Sequence, residues 1–144
     1  MPSRPVAELD LQRYSGLWYE IRRSDNAFQR ACLSGTTARY TLQDNGRSVL
    51  VENQCTATDG RIRGARGVGW QKKGGQLRVS FVSFLPVSLL RRLPFVSASY
   101  DVIYVSPDYR EAVVRSGRLW WVLARTPTLS DARRKVLVAL AHSE

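Results

Sequence analysis

Tyr14-Ser15-Gly16-Leu17-Trp18-Tyr19-Glu20-Ile21 sets a chain-breaking Ser-Gly step directly against a run of large apolar residues. Leu17, Trp18, Tyr19 and Ile21 suit a strand, so a bulky indole is pinned beside a tight turn at a strand's start. Burial in a core is a sufficient reason for such a tryptophan. The pattern further along the chain gives the stretch its wider meaning.

From residue 36 onward the hydrophobic period shortens to two and strands recur at hairpin spacing. Residues 17–23 predict strand one, and residues 36–42 and 48–53 predict a hairpin about Asp44-Asn45-Gly46, where both Asn and Gly tolerate positive φ. Residues 61–71 follow Asp59-Gly60, residues 76–84 follow Gly74-Gly75, and residues 100–105, 112–115 and 119–124 complete the series. Residues 6–14 suit a short helical turn ahead of strand one, and residues 24–35 read as loop. Strands in simple succession, with no helix between them, predict an all-β fold over 1–144 as one domain. An eight-stranded antiparallel up-and-down barrel removes every sheet edge and encloses room for one small ligand; a two-sheet sandwich is the competitor.

One helix is predicted over residues 131–141, with Ser130 as N-cap and Asp131 at the positive end of its dipole. Leu129, Ala132, Val136, Leu137 and Leu140 make its apolar stripe, and Arg133, Arg134 and Lys135 its other face. Such a helix packs on the outside of the sheet that precedes it.

The 144 residues carry 22 Lys and Arg against 12 Asp and Glu, a net charge of +10, and a hydrophobic fraction of 44% that suffices for one packed core. The N-terminal residues Met1 to Pro5 lack an apolar signal region and no run reaches membrane-span length, so a soluble body is expected. The balance favours anionic partners, but the arginines are scattered through alternating strands, which suits a solvated outer face rather than nucleic-acid binding. Cys32 and Cys55 flank the 36–53 hairpin with no His or further Cys to form a metal site. A disulfide and an oxidising compartment are favoured, with two inert buried thiols as the alternative.

Residues 84–96 fit no strand, because Pro86 and Pro94 bracket them. Leu89, Leu90, Leu93 and Phe95 around the pair Arg91-Arg92 read as a lip at the barrel mouth that enters a lipid surface while the arginines meet phosphates; a loop folded onto its own barrel is the alternative. Catalytic chemistry is poorly supplied. The one histidine, His142, stands two residues from the C-terminus, and no Gly-x-Ser-x-Gly elbow occurs. Gly64-Ala65-Arg66-Gly67-Val68-Gly69 has neither dinucleotide-fingerprint spacing nor a following helix. No metal site or cofactor is expected, and binding is the default for a small closed barrel.

Three separated stretches resemble one family. Gly16-Leu17-Trp18-Tyr19 is similar to the Gly-x-Trp signature that opens strand one of lipocalins. Pro107-Asp108-Tyr109 resembles their Thr-Asp-Tyr turn, with Pro in place of Thr, and Arg125 resembles the lone arginine after their last strand. Thr37-Ala38-Arg39-Tyr40 and residues 121–131 are similar, more narrowly, to bacterial outer-membrane lipocalins, relatives of apolipoprotein D. The resemblance implies a cup in which Trp18 closes the floor and Arg125 packs across its indole, with Gly16, Asp108 and Tyr109 as further closure residues. It also implies a fatty acid or lysophospholipid as ligand, a periplasmic or outer-membrane location, and a monomer or weak dimer, with an enzyme using the same cup, an isomerase or a lipid-modifying activity, as the alternative.

Strand parity then names the inward side chains: Glu20 and Arg22 with Trp18, Leu119 and Leu123 with Trp121, and Val79, Phe81, Tyr100, Val102 and Tyr104 on the middle strands. These ten, Trp121 included and Trp18 excepted, are the expected ligand contacts. One bulge would reverse the parity of any set.

Overall fold

Period-two alternation builds eight antiparallel strands that close on themselves in chain order. The computed structural model describes residues 4–24, 32–81 and 97–142, with the backbone alone for residues 32–34. The strands are β1 (Gly16–Arg23), β2 (Cys32–Gln43), β3 (Ser48–Ala57), β4 (Ile62–Lys73), β5 (Gln76–Ser80), β6 (Ala98–Val105), β7 (Glu111–Ser116) and β8 (Leu119–Ala124). A short helix α1 (Leu11–Tyr14) precedes them and α2 (Asp131–His142) follows. The barrel reading therefore holds and the sandwich does not.

Boundaries moved where local signals were weakest. β2 begins at Cys32, inside the span read as loop, because Cys32 and Ser34 pair with Ala57 and Thr56 at the far end of β3. β5 ends at Ser80, and residues 82–84 of the expected strand lie outside the described residues. The Asp44-Asn45-Gly46 turn forms as expected, with φ of 51°, 54° and 84° at its three residues.

Two irregularities decide which side chains enter the barrel. β1 shifts register against β8 between Glu20 and Arg22, so Glu20 pairs with Leu123 but Arg22 with Val122. β6 shifts against β7 between Val102 and Tyr104. Each shift inserts a residue without a partner and swaps the inward and outward sets beyond it.

Two apolar clusters follow. The inner one contains Tyr14, Trp18, Tyr40, Val49, Val51, Leu77, Val102, Val114 and Leu123. The outer one joins Val113, Trp120 and Val122 of the barrel to Leu137 and Ala141 of α2. The expected helix stripe is corrected accordingly: Leu137 and Ala141 are buried, with Val138 packed beside them, while Val136 and Leu140 are exposed. Arg133, placed on the solvent face by sequence, turns toward the barrel because the Glu111 carboxylate accepts from its Nη2 at 2.6 Å and its Nε at 3.2 Å. Ser130 caps the helix as expected, its Oγ accepting from the Arg133 N–H at 3.2 Å.

Candidate functional site

The closed end is assembled from the two ends of the barrel. Gly16 opens β1 at φ +105°, a conformation open to glycine, and leaves the space that the Arg125 guanidinium fills; a Cβ there would stand 3.3 Å from Nη1. Arg125 then lies with its guanidinium carbon 3.7 Å from the centroid of the Trp18 ring. Its Nη1 donates to the Leu17 carbonyl at 3.0 Å, its Nε to the Tyr109 carbonyl at 3.0 Å, and its Nη2 to the Arg13 carbonyl at 2.8 Å. Trp18 is fully buried and donates its indole N–H to the Tyr14 carbonyl at 2.8 Å.

The turn between β6 and β7 completes this floor. The Ser106 hydroxyl donates to Asp108 Oδ1 at 2.7 Å, which holds that carboxyl below its ordinary range, and Asp108 accepts in turn from the Arg110 N–H at 3.1 Å. Tyr109, at φ +57°, sends its hydroxyl to accept from the Asp10 N–H at 3.0 Å, and Arg13 stacks 4.2 Å from its ring. Asp10 also caps α1, accepting from the Gln12 and Arg13 N–H groups at 3.0 and 3.3 Å.

Beside Trp18 three tyrosines converge from three elements. Tyr14 of α1, Tyr40 of β2 and Tyr100 of β6 pack with ring centroids 5.4 Å apart for the tilted Tyr14–Tyr40 pair and 5.9 Å for the edge-to-face Tyr40–Tyr100 pair. The Tyr100 hydroxyl lies 2.7 Å from each of the other two. Burial raises all three phenols, Tyr40 to about 12, so each keeps its proton at neutral pH. Tyr14 and Tyr40 were missed as interior residues. The alternation Ala38-Tyr40-Leu42 carries the signal for Tyr40, whereas Tyr14 enters the barrel from outside the strand pattern altogether.

Beyond the tyrosines toward the open end, Glu20 faces inward with its side chain 10% exposed. Burial pushes its carboxyl up to about 7, and Arg23, whose Nη1 stands 3.4 Å from Oε1, offsets part of that rise. Arg22 was expected in this position. The β1 irregularity sends Arg22 to the exposed surface and brings Arg23 in its place. Tyr104 is likewise corrected: past the β6 irregularity it packs on the outer cluster under α2. Phe81 lies just past the end of β5 and is 49% exposed, so it is not enclosed. Val79, Tyr100, Val102, Trp121 and Leu123 belong to or pack on the inner cluster, and Leu119 shares the parity of Trp121. The lip residues Leu89, Leu90, Arg91, Arg92, Leu93 and Phe95 lie outside the described residues.

An outer cleft of about 480 Å³ runs between the β6–β7 turn and the segment that leads from β8 to α2, past Tyr104, Thr126 and Leu129. Of its charged groups, Glu111 is held by Arg133, Arg125 by backbone carbonyls and Asp108 by the Ser106 hydroxyl. Among the described residues no group of three His, Cys, Asp or Glu is placed to hold a metal, and no helix is long and apolar enough to cross a membrane.

Comparison with known proteins agrees with this geometry. The outer membrane lipoprotein Blc of Escherichia coli K12 is 33% identical over 144 residues, covering 96% of this chain and 75% of Blc. The temperature-induced lipocalin-1 of Arabidopsis thaliana is 34% identical over 145 residues, with the same two coverages of 96% and 75%. Among solved structures, the cockroach allergen Per a 4 superposes with a TM-score of 0.71 at 17% identity, covering 97% of this chain and 83% of the allergen, a likeness of fold alone. Residues 9–144 match the family described as the lipocalin-like domain. With the Trp18–Arg125 closure and the chain-order barrel, that match places the chain in the lipocalin-like family.

Proposed function

We propose that this protein, as one lipocalin domain, binds and carries a small hydrophobic or amphiphilic ligand, a fatty acid or lysophospholipid, in the open half of its barrel. The observation that carries the reading is the inner wall itself. Val79, Trp121 and Leu123 offer an apolar surface, and the Glu20–Arg23 pair supplies the polar atoms that an amphiphile's head needs. Family membership and the outer-membrane lipoproteins among the relatives support a role in envelope lipid handling, at the periplasm or outer membrane. Displacement of a fluorescent fatty-acid probe, followed with tryptophan emission, tests the reading. Displacement by fatty acids or lysophospholipids is expected, and no displacement by any amphiphile overturns it.

A disulfide between Cys32 and Cys55 belongs to the same proposal. Cys32 pairs with Ala57 across β2 and β3, two residues from Cys55, which is buried and not free. This cross-link suits an oxidising compartment.

A second reading, docking of the mouth on an anionic membrane, has its own observation. Ile62, 74% exposed, and Phe81 lie at the end of the barrel where β4 begins and β5 ends, with exposed Arg61, Arg63 and Arg66 on or beside β4, Arg63 pairing with Asp59 and Arg66 with Glu52. Apolar groups ringed by guanidinium groups match a phosphate-bearing lipid surface. Vesicle binding that falls with added salt, in a monomer or weak dimer by sedimentation, is the expected result.

A further inference from the structure

We propose that Tyr14, Tyr40 and Tyr100 form a raised floor that stops a ligand's chain part-way down the barrel and so selects ligand length; this rests on the binding reading above. The three rings come from α1, β2 and β6 and meet inside the barrel beside Trp18, whose ring centroid is 5.1 Å from that of Tyr14. Tyr14 is 2% and Tyr40 6% exposed.

The space left among them decides the argument. The void bounded by the three tyrosines together with Val49, Leu77 and Val79 has a volume of about 10 Å³. That is room for about one water molecule and none for a run of methylenes. The lower barrel is therefore filled by the protein's own side chains.

The hydroxyls fix the height of this floor. Tyr100 Oη is 2.7 Å from both Tyr14 Oη and Tyr40 Oη, and a phenol has one proton to give and lone pairs to receive, so Tyr100 serves both neighbours at once. Three phenylalanines would fill similar volume without a tie between β2, β6 and α1. With the tie, the rings cannot swing aside for a chain without leaving buried hydroxyls unpaired, which opposes deeper entry.

The consequence is a plateau. Each methylene that reaches the apolar wall raises affinity about fourfold, whereas one held out in water by the floor adds nothing. Affinity should rise with chain length and then level off.

The experiment measures displacement of 11-(dansylamino)undecanoic acid by saturated fatty acids of stepwise length on the whole chain. Wild type is expected to gain about fourfold per methylene and then plateau. Tyr100→Ala opens the floor and moves the plateau to longer acids. Tyr100→Phe keeps the ring but cuts both ties, so it should lower the urea midpoint and move the plateau less far than Tyr100→Ala does. A plateau at the same length in wild type and folded Tyr100→Ala overturns the proposal. Should Tyr100→Ala not fold, Tyr100→Leu is the variant read, with a shift in the same direction expected and an unmoved plateau overturning the proposal. Wild type that binds no acid of any length overturns the binding reading itself, an outcome distinct from binding without a length limit.

Discussion

The Arg125 guanidinium lies 3.7 Å over the Trp18 ring while its three nitrogens donate to the carbonyls of Leu17, Tyr109 and Arg13. One side chain thus joins the end of β8, the start of β1, helix α1 and the β6–β7 turn.

Loss of that side chain removes a partly desolvated cation–aromatic contact and leaves several carbonyls without their donor. Arg125→Ala should destabilise the fold by about 2–4 kcal/mol, read as a lower urea midpoint at unchanged slope. Arg125→Lys keeps the charge but not the planar fork, and should recover less than half of the loss. A midpoint unchanged in Arg125→Ala would mean that the barrel is closed by strand pairing alone.

Glu20 gives the stability a definite pH dependence. Its carboxyl stands at about 7 in the fold against 4.5 when exposed, so the folded state holds the extra proton between those values. Stability linked to Glu20 is full below pH 4.5 and is lost as pH rises to about 7. The loss is of order 1–3 kcal/mol. Glu20→Gln, always uncharged, should show a flatter profile over that window and exceed wild type above it. Parallel profiles for the two proteins would show that folding does not shift the Glu20 carboxyl.

Gly67 sits where β4 and the end of β5 approach most closely. A Cβ there would stand 2.6 Å from the Ser80 carbonyl oxygen and 2.7 Å from the Phe81 ring. Gly67→Ala should cost about 1–3 kcal/mol, because the nearer neighbour is backbone and has to shift. An unaltered urea midpoint would place the cost near zero and show that the end of β5 yields freely.

The cysteines allow a direct count. Unfolded, unreduced protein should show no titratable thiol, and reductant should lower stability by about 2–4 kcal/mol. Two thiols titrating without reductant would remove the bridge.

Strand number and order were legible because turn residues such as Asp44-Asn45-Gly46 and Gly74-Gly75 punctuate the period-two pattern where strands end. Gly16, Trp18, Asp108, Tyr109 and Arg125 were legible through motif resemblance, and the structure places them together at the closed end. Facing was legible only up to the first register shift. Trp18 and Glu20 point inward as counted, but one residue later the β1 irregularity exchanges Arg22 for Arg23, and on β6 the same event turns Tyr104 outward. Such shifts depend on partners across the sheet, which a count along one strand does not contain. Arg133 escaped for a similar reason: the Glu111 carboxylate that draws it to the barrel is remote in sequence.

Every strand pairs with its neighbour in sequence except at one seam, where β1 meets β8 and Tyr19 lies opposite Ala124. Hairpins between neighbours form quickly, but the seam waits for two distant ends of the chain to meet. During synthesis the ribbon therefore carries an unpaired β1 edge and an open inner face until Arg125 has been made. That interval is when edge-to-edge aggregation threatens the nascent chain most, and a helper protein that shields β1 would act there.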